Sequence, residues 1–124
     1  MNEITMPPTD GGVGASADAL GLEVDAAAAG VNGVVSVYAA RPMVARAVDH
    51  LAHGTAALSA VQLVSGRAEA TVSIGVALGE DSARVAEAVA ARVRSVLAAR
   101  SAGIPTVRVR VSRLVAVIPP APDA

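Results

Sequence analysis

The chain predicts an α+β fold, a two-layer α/β sandwich in which two to three helices cover one face of a mainly antiparallel, three- or four-stranded sheet. Three stretches carry this reading. Residues 69–78 alternate apolar with small or polar side chains, the period of a strand. Residues 82–101 repeat valine and leucine at the spacing of a helix face. Residues 106–115, TVRVRVSRLV, alternate again. A chain of 124 residues is long enough for one domain with one modest core.

The elements follow in order. Residues 1–16, rich in Pro, Gly, Thr and Asp, predict a disordered arm. Residues 17–29 predict a first helix with Ser16 as N-cap and Leu20, Val24, Ala27, Ala28 and Val31 on one face. Gly21 weakens that helix, and Gly30 is its expected stop. Residues 33–38 predict a short strand, and 43–53 a short helix carrying Met43, Val44, Ala47, Val48 and Leu51. A strand over 57–64, the turn 65–68 and the strand 69–78 predict an antiparallel hairpin. Val72, Ile74, Val76 and Leu78 share one face of its second strand, and Thr71, Ser73, Gly75 and Ala77 the other.

Glu80, Asp81 and Ser82 stand where a helix N-terminus favours acids and capping oxygens. The helix that follows carries a stripe of Val85, Val89, Val93, Val96 and Leu97. Arg84 and Glu87 are placed to pair, Arg100 falls in the last turn and Gly103 is the stop. The final strand directs Val107, Val109 and Val111 to the core and Arg108, Arg110 and Ser112 away from it. Beyond Ser112 the alternation slips and Arg113 takes the valine phase, the mark of a bulge or a strand end. The domain therefore spans 17–118, and residues 119–124, PPAPDA, predict a flexible tail.

Composition narrows the function. Hydrophobic residues make up 53% of the chain, which predicts a folded core. That core is built of Ala and Val, because Tyr38 is the sole aromatic. All ten basic residues are arginine, which with the alanine content suggests a GC-rich coding genome. The net charge of −1 draws the chain neither to nucleic acid nor to acidic lipid, and the stacking rings of single-strand binders are missing. With no cysteine there is no disulfide, thiolate metal site or Cys nucleophile. Residues 1–18 lack the basic start and apolar run of a secretion signal, and no stretch has the length of a membrane-spanning helix.

The sequence offers few chemical groupings. His50 and His53, three apart beside Asp49, are the one set that could reach a metal ion, and two histidines without further ligands read more simply as a polar helix end. Gly79-Glu80-Asp81-Ser82 precedes a helix, but its acids repel phosphate and it reads as a cap. Ser36, Ser59 and Ser73 have no His-Asp set in the pattern. Tyr38 reads as a core-edge residue with its hydroxyl at the rim. Arg108, Arg110 and Arg113 form a row able to hold phosphates or an acidic partner, or else to form a solvated face that discourages edge pairing. No catalytic residue, cofactor, metal or small-molecule substrate is expected.

Several pieces together resemble the alkaline-shock protein family, the envelope stress-response proteins of Gram-positive bacteria, in an actinobacterial-type member. They are the Ala-rich helix running into AGVNGVVSV, the strand VSIGVAL, the acidic turn into RVAEAVAARVRSVL, and the closing TVRVRVSRL. The likeness covers roughly residues 17–115. Asn32 stands where the family often has proline, and Leu78-Gly79 where it has a tyrosine–glycine turn. The resemblance implies a small, non-enzymatic, cytoplasmic protein that self-associates or pairs with a related family member, often near the membrane through a small membrane-protein anchor. It brings no catalytic motif.

With helices on one sheet face only, the other face shows Thr71, Ser73, Gly75, Ala77, Arg108 and Arg110, with Val61 and Leu63 as further candidates. A small, mixed face of this kind is the expected interaction surface. The expected function is structural or scaffolding. A small Arg-faced nucleic-acid or anion-binding module is the alternative.

Overall fold

The computed structural model of the protein describes residues 13–40 and 57–117. Their order is α1 (Val13–Ala29), β1 (Val34–Tyr38), β2 (Ala60–Val64), β3 (Arg67–Ala77), α2 (Ser82–Ala98) and β4 (Thr106–Val115). The two helices and the four-stranded sheet form the α+β class expected from the sequence. The helix expected over 43–53, with Asp49, His50 and His53, lies outside the described residues, as do residues 1–12 of the expected arm and the tail 119–124; residues 13–16, expected in the arm, are instead the start of α1.

β3 is the centre of the sheet and pairs with all three other strands. On one side, β2 runs antiparallel along its first half, from Val64↔Arg67 to Ala60↔Thr71. β1 runs antiparallel along its second half, from Tyr38↔Ser73 to Val34↔Val76. β1 and β2 thus form one interrupted line, broken opposite Val72. The break is closed by the Ala40 N–H, which donates to the Leu58 carbonyl at 2.9 Å. On the other side β4 runs parallel to β3 along its length. The parallel pairing follows from the connection, since a strand–helix–strand crossover through α2 returns the chain in the same direction.

Local chemistry places each element. The β2–β3 hairpin turns at Ser65 and Gly66, both with positive φ (52° and 80°), as the two-residue turn matching strand twist requires. β3 therefore begins at Arg67, two residues earlier than the alternation indicates. It also ends at Ala77, so Leu78 falls in the following turn and is 63% exposed instead of joining the core. α2 is capped by Asp81, whose carboxylate accepts from the N–H groups of Ala83 and Arg84. α1 starts at Val13, which puts the expected N-cap Ser16 inside the helix.

The core lies between the helices and one sheet face. Leu20, Val24 and Ala28 of α1 meet Val85, Val89, Val93 and Leu97 of α2 over Ala68, Ala70, Val72, Ile74 and Val76 of β3. Val61, Leu63, Val107 and Val109 flank it. Val61 and Leu63 share the face of their partners Ala70 and Ala68, which corrects their candidacy for the opposite face. Val111 carries the core phase but is 36% exposed at the sheet edge. Arg100, just past α2, reaches Glu23 of α1 at 3.1 Å, an exposed pair worth about 0–1 kcal/mol. Arg84 and Glu87 form no ion pair among the described residues.

Candidate functional site

The sheet face turned away from the helices, here the back face, gathers the expected surface residues. Cross-strand pairing sets Thr71 beside Arg108 and Ser73 beside Arg110, with Gly75 and Ala77 next along β3. The six are therefore neighbours on one face, but their accessibility differs. Arg108 and Arg110 are exposed, and Thr71 and Ala77 are half-buried. Ser73 is 2% exposed and Gly75 is buried.

Two contacts close the centre of this face. The Ser73 hydroxyl is hydrogen-bonded to that of Ser112. The Tyr38 ring lies over Gly75, where an added Cβ would stand 2.8 Å from Cε2 and 2.9 Å from the hydroxyl oxygen. Gly75 is thus the seat of an aromatic ring within the chain. The expected interaction surface is therefore already covered at this point by the chain's own ring. Tyr38, read from the sequence as a core-edge residue, is a half-buried residue of the back face, carried there by its pairing with Ser73.

A bulge gives the third member of the arginine row. Ile74 pairs with Val111 but Gly75 pairs with Arg113, so Ser112 is the extra residue. The slip returns Arg113 to the back face. There its guanidinium carbon stands 5.2 Å from the centroid of the Tyr38 ring, within cation–π range. Sequence reading missed Tyr38 as part of this face; it set Arg113 in one row with Arg108 and Arg110 but left it out of the six surface residues. The phase slip at Ser112 was the signal for Arg113; nothing local in the sequence signalled the reach of Tyr38 across to Gly75.

Toward the β2 end the same face holds a shallow depression of about 340 Å3, whose lining includes Ala60, Gln62, Glu69, Thr71, Thr106 and Arg108. Gln62 Nε2 donates to Glu69 Oε1 at 3.0 Å. No carboxylate pairs with Arg108 or Arg110 among the described residues. A second, polar groove between the end of α1 and the start of α2 is lined by Asn32, Glu80, Asp81, Arg84 and Arg92, among others. Among the described residues no group of three or more His, Cys, Asp or Glu could hold a metal ion, and no helix is long and apolar enough to cross a membrane.

No family model, curated protein or solved structure matches the chain, so the resemblance to the alkaline-shock family stands on the quoted residues alone.

Proposed function

We propose that the protein is a non-enzymatic structural or scaffolding protein of the cell-envelope stress-response type, acting by self-association and protein–protein contacts through the back face of its sheet. The observation that carries this is the one-sided layering. Among the described residues both helices pack on one face, and the opposite face is closed only at its centre, by Tyr38 and Ser112. Around that centre Ala60, Thr71, Ala77 and Val115 remain partly accessible and Val64 is exposed. A sheet face with this many small and apolar groups gains by packing against another surface. The envelope setting, a cytoplasmic location and a membrane-protein anchor are what the family resemblance adds to the proposal. Sedimentation over a range of concentrations tests it: a scaffold of this kind grows in mass as concentration rises.

One observation favours a second reading. Arg108 and Arg110 are exposed without a carboxylate partner among the described residues, as in a small nucleic-acid or anion-binding module. Such a module would bind oligonucleotides with an affinity that falls steeply with salt.

A further inference from the structure

β4 pairs with β3 on one side and with no described strand on the other. Its ten residues, Thr106–Val115, contain no proline and no acid. Six residues, 106–111, precede the bulge at Ser112. They offer a regular edge about 20 Å long, with backbone donors and acceptors turned outward. Along this edge Arg108 and Arg110 stand on the back face, and Val107, Val109 and Val111 on the helix side. Such an edge is a template for another strand, and its charges select which.

A second copy of β4 is disfavoured. In a two-fold antiparallel pair the two strands present the same face the same way, so the arginines of one stand opposite or diagonal to those of the other. Like charges so placed destabilise the pair. On β3, Arg108 and Arg110 face Thr71 and Ser73, and Glu69, opposite Thr106, accepts from Gln62 and forms no ion pair with Arg108. An incoming strand that alternates carboxylates with apolar residues meets both faces correctly, with acids beside Arg108 and Arg110 and apolar groups beside the valines.

We propose that the edge of β4 over 106–111, unpaired among the described residues, docks an extended acidic segment of a partner protein, which adds to the sheet as a further strand and sets its carboxylates against Arg108 and Arg110. Main-chain hydrogen bonds supply affinity and the alternate side chains supply selectivity. The docking uses the main chain of the sheet edge and self-association the back face, and the two surfaces share Arg108 and Arg110.

Fluorescence anisotropy of the full chain with three labelled peptides tests this. The first alternates Glu with Val, the second replaces each Glu by Gln, and the third keeps the Glu residues but carries N-methyl groups on alternate amides. The Glu peptide is expected to bind, and the Gln and N-methyl peptides to bind at least about tenfold more weakly. An R108E/R110E variant, shown by circular dichroism to be folded, is expected to lose the Glu peptide and gain a Lys–Val counterpart. Equal binding of the Glu and N-methyl peptides would overturn the proposal, since it would leave only an anion-attracting surface. So would no binding of the Glu peptide at about 500 µM, or tighter binding of an oligonucleotide of equal charge. Sedimentation of the unliganded protein separates the two proposals, because monomeric protein that still binds the Glu peptide would fail the scaffold reading alone.

Discussion

The ring of Tyr38 is seated on Gly75. A Cβ at position 75 would lie 2.8 Å from the ring, closer than side-chain carbons approach. The pair explains why a glycine occupies the middle of the central strand, where it otherwise weakens pairing. It also explains how the lone aromatic of the chain is used: it covers exposed backbone on the face that the helices leave open.

Gly75→Ala is accordingly expected to destabilise the fold by about 1–3 kcal/mol through overpacking, outweighing the roughly 0.5–1 kcal/mol that alanine gains over glycine in a strand. In a Tyr38→Ala background the same substitution is expected to cost less, so a double-mutant cycle by urea denaturation should show coupling. The fluorescence of the single tyrosine gives a second readout. A stabilising Gly75→Ala would show that the ring is not seated there.

The same argument applies where α1 meets the segment entering β2. Asp25 accepts from the N–H groups of Leu58 and Ser59, both at 2.8 Å. Gly21 lets that segment approach, since a Cβ there would stand 2.6 Å from the Cβ of Ala57. Asp25→Ala is expected to cost about 1–3 kcal/mol, because two inward N–H groups lose a charged acceptor, and to speed amide exchange at Leu58 and Ser59. Gly21→Ala is expected to destabilise as well, even though alanine is the better helix former by about 1 kcal/mol. Unchanged exchange at both amides in Asp25→Ala would contradict the clamp.

Val93 is 0% exposed, midway along the buried stripe of α2. Val93→Asp would place an uncompensated carboxylate in the core and is expected to cost about 3–5 kcal/mol. Ala91→Asp, on the exposed side of the same helix, is expected to cost about 1 kcal/mol or less. Similar melting temperatures for the two variants would mean that the buried face of α2 is wrongly assigned.

Periodicity made most of the fold legible. The valine stripe of α2 and the alternation of β3 are local signals, and both elements bury the residues their phase marks, apart from Leu78 and the half-buried Val96. The bounds of β4 agree with its alternation, and the phase slip at Ser112 is a bulge. What was not legible depended on contacts distant in sequence. The faces of Val61 and Leu63 are set by pairing with Ala70 and Ala68, and the short strand alone does not show which side that pairing selects. Gly21 reads as a weak point of a helix until Ala57 is placed against it. The six candidate surface residues do lie together, but the cover over Ser73 and Gly75 comes from Tyr38 and Ser112, one from β1 and one from a bulge.

The claim that the back face joins chains is tested most directly by sedimentation velocity of the wild type and of Ala77→Arg at several concentrations. Ala77 is half-buried on that face beside Val115, so a bulky charge there is expected to disturb assembly while the circular dichroism spectrum stays that of the folded domain. The account expects wild-type mass to rise with concentration and the variant to remain smaller at each one. A wild-type protein that stays monomeric at about 100 µM, far above a micromolar dissociation constant, would contradict it.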